Sequence, residues 1–179
     1  MQEDVIARKR VFDGKLVKLD HLTVRLPNGE QSEREIVEHP GAAAVVALDG
    51  HDRVLLVHQY RLAARRVLRE IPAGTLEPGE DPSACARREL QEETGYSPGK
   101  LEPIGGLYVA PGYTTEYIHL FLAQDLTHAP LAADDDEFIE VEQLPLGEAL
   151  AMIDSGDIVD GKSIAGLLRV ARLRGLRSL

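Results

Sequence analysis

Six acidic residues are concentrated in one short segment of the chain, residues 74–96, which reads GTLEPGEDPSACARRELQEETGY. Three of them, Glu89, Glu92 and Glu93, fall within five consecutive positions. If the segment is helical, residues three and four positions apart share one face, and the three carboxylates lie together. Hard divalent cations prefer carboxylate oxygens as ligands. The segment therefore predicts a cation site, with magnesium as the leading candidate.

A solvated helix face is the commoner explanation of a charged run, with opposite charges paired at i and i+4. That explanation fails for Glu89. The residues three and four positions from it are Cys85, Ala86, Glu92 and Glu93. Glu93 likewise has no cation at these spacings. Like charges at i and i+4 destabilise a helix by roughly 0.2–0.5 kcal/mol, and acids in the last turn oppose the helix dipole. The pattern predicts carboxylates that remain uncompensated until a divalent cation binds.

Local signals predict that these acids lie on a helix over residues 82–94. Asp81 is a favourable N-cap, and Pro82 suits the first helical position because its missing N–H is not needed there. Gly95 is a natural residue to end the helix, since glycine adopts the left-handed conformation at little cost. A strand predicted over 66–71 precedes this helix and is stopped by a proline and a glycine.

The remaining elements follow from apolar runs and turn signals. Residues 1–40 alternate in character and contain two hairpin turn signals, so they predict a small antiparallel sheet or arm. Further strands are predicted at 42–48, 53–60, 101–109, 116–124 and 138–143. Helices are predicted at 146–155 and 162–174, the second from apolar residues at helical spacing. Along the chain, the acidic helix therefore lies between two groups of predicted strands.

Composition limits the classes of function. The 179 residues suit one domain of ordinary size. A net charge of −10 argues against a basic surface for nucleic acid, and an anionic ligand would need a bridging cation. The single cysteine, Cys85, excludes an internal disulfide and favours a reducing compartment, so we expect a cytoplasmic protein. We expect no export signal and no membrane segment, because the apolar runs are short.

The acidic segment resembles the signature of the Nudix hydrolases, G-x5-E-x7-R-E-U-x-E-E-x-G-U, where U is a bulky aliphatic residue. Its specified positions are filled by Gly74, Glu80, Arg88, Glu89, Leu90, Glu92, Glu93 and Gly95. Tyr96 departs from the pattern at the last position, which bears on packing and not on chemistry. The resemblance implies an α/β fold, a Nudix-type α/β/α sandwich with a mixed central sheet. It also implies a division into an N-terminal antiparallel β arm, residues 1–40, and a Nudix hydrolase domain, residues 41–179.

The resemblance also implies a chemistry, the hydrolysis of a nucleoside diphosphate linked to another group by a metal-activated water. Mg²⁺ would be the ion, with Mn²⁺ as the alternative. Glu89 and Glu93 would be the principal ligands, and Glu92 would ligate directly or through water. The carbonyl of Ala73 would reach a metal because glycine at the next position allows a sharp turn.

Two further parts of the site are implied by the same resemblance. Arg88 would orient the acidic cluster by pairing with a carboxylate, for which Glu80 is the first candidate. The acidic loop 134–137 aligns with a loop that supplies another metal ligand and the catalytic base in the family, which assigns Glu137 as ligand and Asp135 as base. The family has glutamate at the base position, so the shorter Asp135 side chain would have to move closer. A plain solvated loop is the alternative.

Three features resemble the ADP-ribose pyrophosphatase subgroup. The lead-in REIPAGTLEPGE, residues 69–80, is shared with a relative that cleaves GDP-mannose. Pro111 lies 16 residues after Gly95, where a proline tends to mark ADP-ribose hydrolases. Residues 33–46 resemble the dimerising arm of that subgroup. The implied reaction converts ADP-ribose to AMP and ribose 5-phosphate in a homodimer whose arm completes the site of its partner.

The subgroup resemblance implies the substrate contacts Arg34, Glu35, Arg61, Pro111, Gly112 and Tyr113. Arg34 and Glu35 would contact the adenosine half across the dimer interface, and Arg61 would lie near the phosphates or terminal ribose. Tyr113 would approach the base or ribose. Each has an ordinary alternative: an exposed cross-strand pair for Arg34 and Glu35, a turn for Pro111 and Gly112, and packing for Tyr113.

Other functions stay open at this point. The same motifs suit a hydrolase of GDP-mannose or of nucleoside diphosphate sugars more broadly. A Nudix domain that senses ADP-ribose without cleaving it is a second alternative, against which the complete acidic motif argues. Cap or nucleoside triphosphate hydrolysis ranks lower, and the acidic balance makes long RNA a poor partner. We therefore expect a small-molecule substrate, with neither nucleic acid nor membrane as partner.

Overall fold

The computed structural model describes residues 1–132 and 138–176, which form ten strands and three helices. The strands are β1 (Asp4–Asp13), β2 (Lys18–Arg25), β3 (Gln31–Glu38), β4 (Ala42–Leu48), β5 (Arg53–Arg61), β6 (Arg66–Glu70), β7 (Ala73–Thr75), β8 (Tyr96–Tyr108), β9 (Tyr117–His128) and β10 (Ile139–Pro145). The helices are α1 (Pro82–Thr94), α2 (Leu146–Ser155) and α3 (Gly161–Leu173). The chain divides into two compact units: Met1–Gly41 with Tyr108–Tyr117, and Ala42–Leu107 with the residues from Ile118 onward.

The first unit is built on the three-stranded antiparallel sheet β1-β2-β3, as the alternating sequence of residues 1–40 predicts. Asp20 is buried in this sheet and receives a hydrogen bond of 2.5 Å from Nε of Arg10. The segment 108–117 joins the unit through backbone hydrogen bonds, including one of 2.7 Å from the Val37 N–H to the Tyr113 carbonyl. The N-terminal antiparallel sheet is therefore confirmed.

The second unit is built on a seven-stranded mixed sheet. Its strand order is β10-β5-β4-β9-β8, with β6 beside β5 and β7 beside β4. Strands β4 and β9 run parallel, whereas β5 is antiparallel to β4, β6 and β10. The mixed sheet implied by the family resemblance is confirmed.

Both faces of this sheet are covered, and β4 shows why. Its seven residues, AAAVVAL, are all buried, as expected for a central strand with helices on both sides. Ala43, Val45 and Ala47 belong to the cluster under α1. Ala44 and Val46 belong to the cluster under α2 and α3. The three layers confirm the predicted α/β/α sandwich.

The helix that carries the acidic residues begins and ends where its capping residues predict. The Asp81 carboxylate accepts hydrogen bonds from the backbone N–H groups of Ser83 and Ala84, at 2.9 and 3.3 Å. Gly95 follows the helix with φ of 76°, a left-handed conformation, and its N–H donates to the Gln91 carbonyl. The structure thus holds α1 in register from both ends.

Among the residues described, no helix combines the length and the apolar character needed to cross a bilayer.

Candidate active site

Helix α1 turns two of its carboxylates toward the sheet. Glu89 and Glu93 are only 9% and 6% exposed, and they share the buried face of the helix with apolar residues. Burying a carboxylate is costly unless it accepts hydrogen bonds or pairs with a cation. Glu93 accepts one such bond, of 3.0 Å, from the backbone N–H of Ala73 in β7. The short strand β7, which the sequence did not predict, therefore places the Ala73–Gly74 backbone against the acidic helix. Gly74 lies within this strand and not in the sharp turn that the resemblance implied.

Arg88 is the centre of the carboxylate cluster. Its Nη1 donates to Glu89 at 2.7 Å and to Glu92 at 3.0 Å, and its Nε and Nη2 donate to the two oxygens of Glu80, both at 3.0 Å. The expected pairing of Arg88 with Glu80 is present. The hydrogen bonds that Arg88 donates to Glu80 raise the pKa of Arg88, and the same guanidinium lowers the pKa of Glu80.

This geometry corrects one expectation. The pattern of residues predicted that Glu89 and Glu93 lack a cation of the protein's own, and this is wrong for Glu89. Arg88 pairs with its immediate neighbour Glu89 as well as with Glu92 four residues later. Its long side chain reaches both, and counting only positions three and four residues away misses the adjacent pair. The helix is therefore compensated from within its own sequence.

The backbone of β7 passes so close to this cluster at Gly74 that a side chain there would displace Glu89. A β-carbon built on Gly74 would overlap the carboxylate of Glu89. Gly74 is held in place because β7 pairs with β4, where it lies opposite Ala43. The close approach of the β7 backbone to the Glu89 carboxylate explains the glycine that opens the acidic segment.

Cys85 lies beside this cluster and takes no part in nucleophilic chemistry at neutral pH. Its side chain is fully buried. Burial, together with the negative charges of Glu80 and Glu89, raises the pKa of the thiol to about 12. A thiol is a poor nucleophile until it loses its proton. The chemistry of the site therefore belongs to its oxygen and nitrogen groups.

A second ionic cluster, which the sequence did not reveal, lies at the end of β6. Glu70 is 1% exposed and accepts hydrogen bonds from Nε and Nη2 of Arg61, at 2.8 and 2.7 Å. The ammonium group of Lys162 also pairs with Glu70, and it contacts Asp160 at 3.1 Å. Hydrogen bonding to Glu70 raises the pKa of Arg61, and the charge of Glu93 contributes in the same direction. Arg61 is therefore within electrostatic reach of the acidic helix.

The donor set of α1 suits a hard divalent cation. Glu89, Glu92 and Glu93 offer carboxylate oxygens, the preferred ligands of Mg²⁺. Arg88 contacts one oxygen each of Glu89 and Glu92. Within residues 1–132 and 138–176, no three acidic, histidine or cysteine side chains already converge on one cation position. The residues fit the ion by their chemistry. Arg88 holds Glu89 and Glu92, and the Ala73 N–H holds Glu93.

The predicted site residues are divided between the two units. Arg34, Glu35, Pro111, Gly112 and Tyr113 belong to the first unit, whereas Arg61, Ala73 and the residues of α1 belong to the second. Arg34 pairs with Glu3, through contacts of 2.6 and 3.1 Å, and not with Glu35. Pro111–Gly112 lies in a turn closed by the Tyr113 N–H on the Ala110 carbonyl. Asp135 and Glu137 lie outside the residues that the structure describes.

Comparison with known proteins identifies the class to which this fold and site belong. The NUDIX domain family matches residues 38–166. The chain therefore belongs to the Nudix family.

Individual relatives cover most of the chain. The ADP-ribose pyrophosphatase of Bacillus subtilis (strain 168) is 43% identical over 165 residues, which are 91% of this chain and 89% of that protein. A methanol dehydrogenase activator from Bacillus methanolicus is 44% identical over 165 residues, with the same shares of the two chains. A crystal structure of an ADP compounds hydrolase superposes with a TM-score of 0.86, covering 98% of this chain and 96% of its own, at 22% identity. The last comparison bears on the fold alone.

Proposed function

We propose that this chain is a magnesium-dependent pyrophosphatase that hydrolyses ADP-ribose to AMP and ribose 5-phosphate. The observation that carries the proposal is the buried pair Glu89 and Glu93 on α1. Glu89 pairs with Arg88, as Glu92 does, and Glu93 accepts a hydrogen bond from the Ala73 N–H. The choice of substrate is supported by the Bacillus subtilis relative, an ADP-ribose pyrophosphatase that matches this chain over nearly its whole length.

The proposed metal site uses groups of α1 and β7, which contact each other through Glu93 and Ala73. Glu89, Glu92 and Glu93 would hold Mg²⁺ or Mn²⁺, with the carbonyl of Ala73 as a further ligand. A bound divalent ion lowers the pKa of water and stabilises charge on phosphoryl oxygens. The chain itself holds Glu93 through the Ala73 N–H and holds Glu89 and Glu92 through Arg88. Glu137 as a further ligand and Asp135 as the base stay predictions.

Charge explains why such an ion is needed. A pyrophosphate is repelled by a carboxylate cluster, and the chain as a whole carries a net charge of −10. Arg61 supplies a positive group for the phosphates or the terminal ribose. Glu70 occupies the Nε and Nη2 donors of its guanidinium. Because a guanidinium has five N–H donors, the edge that carries Nη1 is not used by Glu70 and suits phosphate oxygens.

We extend the proposal to a homodimer formed through the arm, residues 1–40. Every residue of β1 is exposed, and its large apolar side chains include Val5, Ile6, Val11 and Phe12. An outer strand with exposed apolar residues is suited to pairing with a second chain. In such a dimer the arm and the turn at Pro111–Tyr113 would supply substrate contacts. The single cysteine favours the cytoplasm as the site of action.

Product analysis tests the proposed reaction. The protein with Mg²⁺ is incubated with ADP-ribose, GDP-mannose, a dinucleoside polyphosphate and a deoxynucleoside triphosphate, and the products are separated by chromatography. We expect ADP-ribose to give equal amounts of AMP and ribose 5-phosphate at the highest kcat/KM. Faster turnover of GDP-mannose would select the alternative sugar-nucleotide hydrolase. Binding of ADP-ribose without turnover would select the sensing function.

A further inference from the structure

Lys162, at the start of α3, contacts Glu70, at the end of β6, although the two residues are 92 positions apart in the chain. Its ammonium group pairs with the carboxylate of Glu70. The Lys162 side chain is only 11% exposed, and that of Glu70 is 1% exposed. A lysine is seldom buried to this extent unless it is paired, so the contact is a specific feature of the fold.

Glu70 is held by two cations. It binds the guanidinium of Arg61 through two parallel hydrogen bonds of 2.8 and 2.7 Å, which fix the plane of the group. Lys162 pairs with Oε2, the oxygen that also accepts from Nη2 of Arg61. Burial would raise the pKa of Glu70, but the hydrogen bonds and charges of Arg61 and Lys162 more than offset it, and the pKa lies below its ordinary value. Glu70 therefore remains ionised and retains both partners.

The start of α3 is itself anchored. Asp160, the N-cap, contacts Lys162 at 3.1 Å and accepts a hydrogen bond of 3.0 Å from the Ser163 N–H. The Ser163 hydroxyl accepts a hydrogen bond of 2.8 Å from the N–H of Ile71, the residue after Glu70. The first turn of α3 thus binds the end of β6 in two ways, through Ser163 to the backbone of Ile71 and through Lys162 to the carboxylate of Glu70. Arg61 binds the same Glu70 carboxylate that Lys162 contacts.

We propose that Lys162 is a positioning residue for substrate binding. Lys162 fixes Glu70, and Glu70 in turn orients Arg61. The edge of the Arg61 guanidinium that carries Nη1 then faces the pyrophosphate or terminal ribose. The inference rests on the proposed function, in which Arg61 contacts the substrate. Lys162 works through Glu70 and Arg61 and does not itself touch the substrate. Without it, Glu70 keeps one cation instead of two, and the Glu70–Arg61 pair becomes free to tilt.

A double-mutant cycle tests the inference. The variants are K162M, R61M and the double variant, and kcat and KM are measured for the substrate that the wild-type protein cleaves fastest. We expect K162M to raise KM about tenfold with kcat within about twofold, because an orienting contact present in both ground and transition states is lost. In the R61M background, K162M should change kcat/KM by less than about twofold. A role in folding alone would act equally in both backgrounds.

The matched control is K100M, which removes a lysine from an exposed ion pair with Glu102, 2.9 Å long. We expect it to leave KM unchanged. If K162M does not fold, as judged by thermal unfolding, E70Q takes its place in the cycle, because it removes the charge that links Lys162 to Arg61. An effect of equal size with and without Arg61 would overturn the inference. Failure of the proposed function would show differently, as wild-type protein that does not cleave ADP-ribose.

Discussion

Replacing Arg88 with methionine tests whether the acidic cluster depends on it for stability. The substitution keeps the aliphatic bulk of the side chain and removes its contacts with Glu80, Glu89 and Glu92. The three glutamate side chains are only 14%, 12% and 23% exposed, so water does not fully replace the lost partner. We expect R88M to fold and to be less stable than the wild-type protein.

The contacts set the size of the effect. Exposed ion pairs contribute about 0.2–1 kcal/mol and hydrogen bonds to charged groups about 1.5–3 kcal/mol. For partly exposed carboxylates we take about 1 kcal/mol each, so the loss is about 3 kcal/mol. In a chain of this length 1 kcal/mol shifts Tm by about 2–4 °C, and Tm should fall by roughly 6–12 °C.

Urea unfolding in EDTA, followed by circular dichroism, measures this loss without a bound ion. The matched control is R87M, on the same helix, which loses one hydrogen bond of 2.7 Å to the neutral carbonyl of Pro98. We expect it to cost about 1 kcal/mol. If R88M and R87M were equally stable, the view that Arg88 compensates the acidic cluster would be refuted.

Three further predictions concern the same region. G74A should lower kcat about a hundredfold, because the added β-carbon displaces Glu89. The control is G50A, where an added β-carbon meets nothing, and it should leave kcat unchanged. Steady-state kinetics compares the two variants. Because Arg88 lowers the pKa of Glu80 below its ordinary 4.5, the stabilisation from Glu80 is complete above that pH and is lost as the pH falls through the folded pKa. E80Q should therefore lose less stability than wild type between pH 6 and pH 3 in urea titrations, and an unchanged loss would contradict the assignment. Cys85 should react with a thiol reagent at pH 8 only after unfolding, and rapid reaction in native protein would contradict its burial.

Much of the fold could be predicted because its signals are local. The boundaries of α1 depend on Asp81, Pro82 and Gly95, which act within one turn of the helix. The apolar run of β4 marks a central strand wherever it lies in the sheet. The glycine and glutamates of the Nudix signature predict the acidic helix and the loop that precedes it, and the structure brings them together.

What the sequence did not reveal depends on distant contacts. Strand β8 begins at Tyr96, whereas the sequence predicted a start at residue 101. Pro98 lies within the strand, and a proline is tolerated there because β8 is at the edge of the sheet. The pairing of Glu70 with Lys162 joins residues with no local relationship. The one local sign of this pair was Glu70 itself, a charged residue directly before the buried Ile71. A charge buried beside the core requires a partner.

The central claim is that the carboxylates of α1 would hold the divalent ion on which hydrolysis of the pyrophosphate depends. Its most direct test is Mg²⁺ binding by calorimetry together with ADP-ribose turnover. E93Q is compared with E77Q, which changes an exposed glutamate of the same acidic segment. We expect E93Q to remain folded, to bind Mg²⁺ at least about tenfold more weakly and to lose most turnover, and E77Q to match wild type. E93Q with wild-type Mg²⁺ affinity and wild-type kcat would contradict the claim.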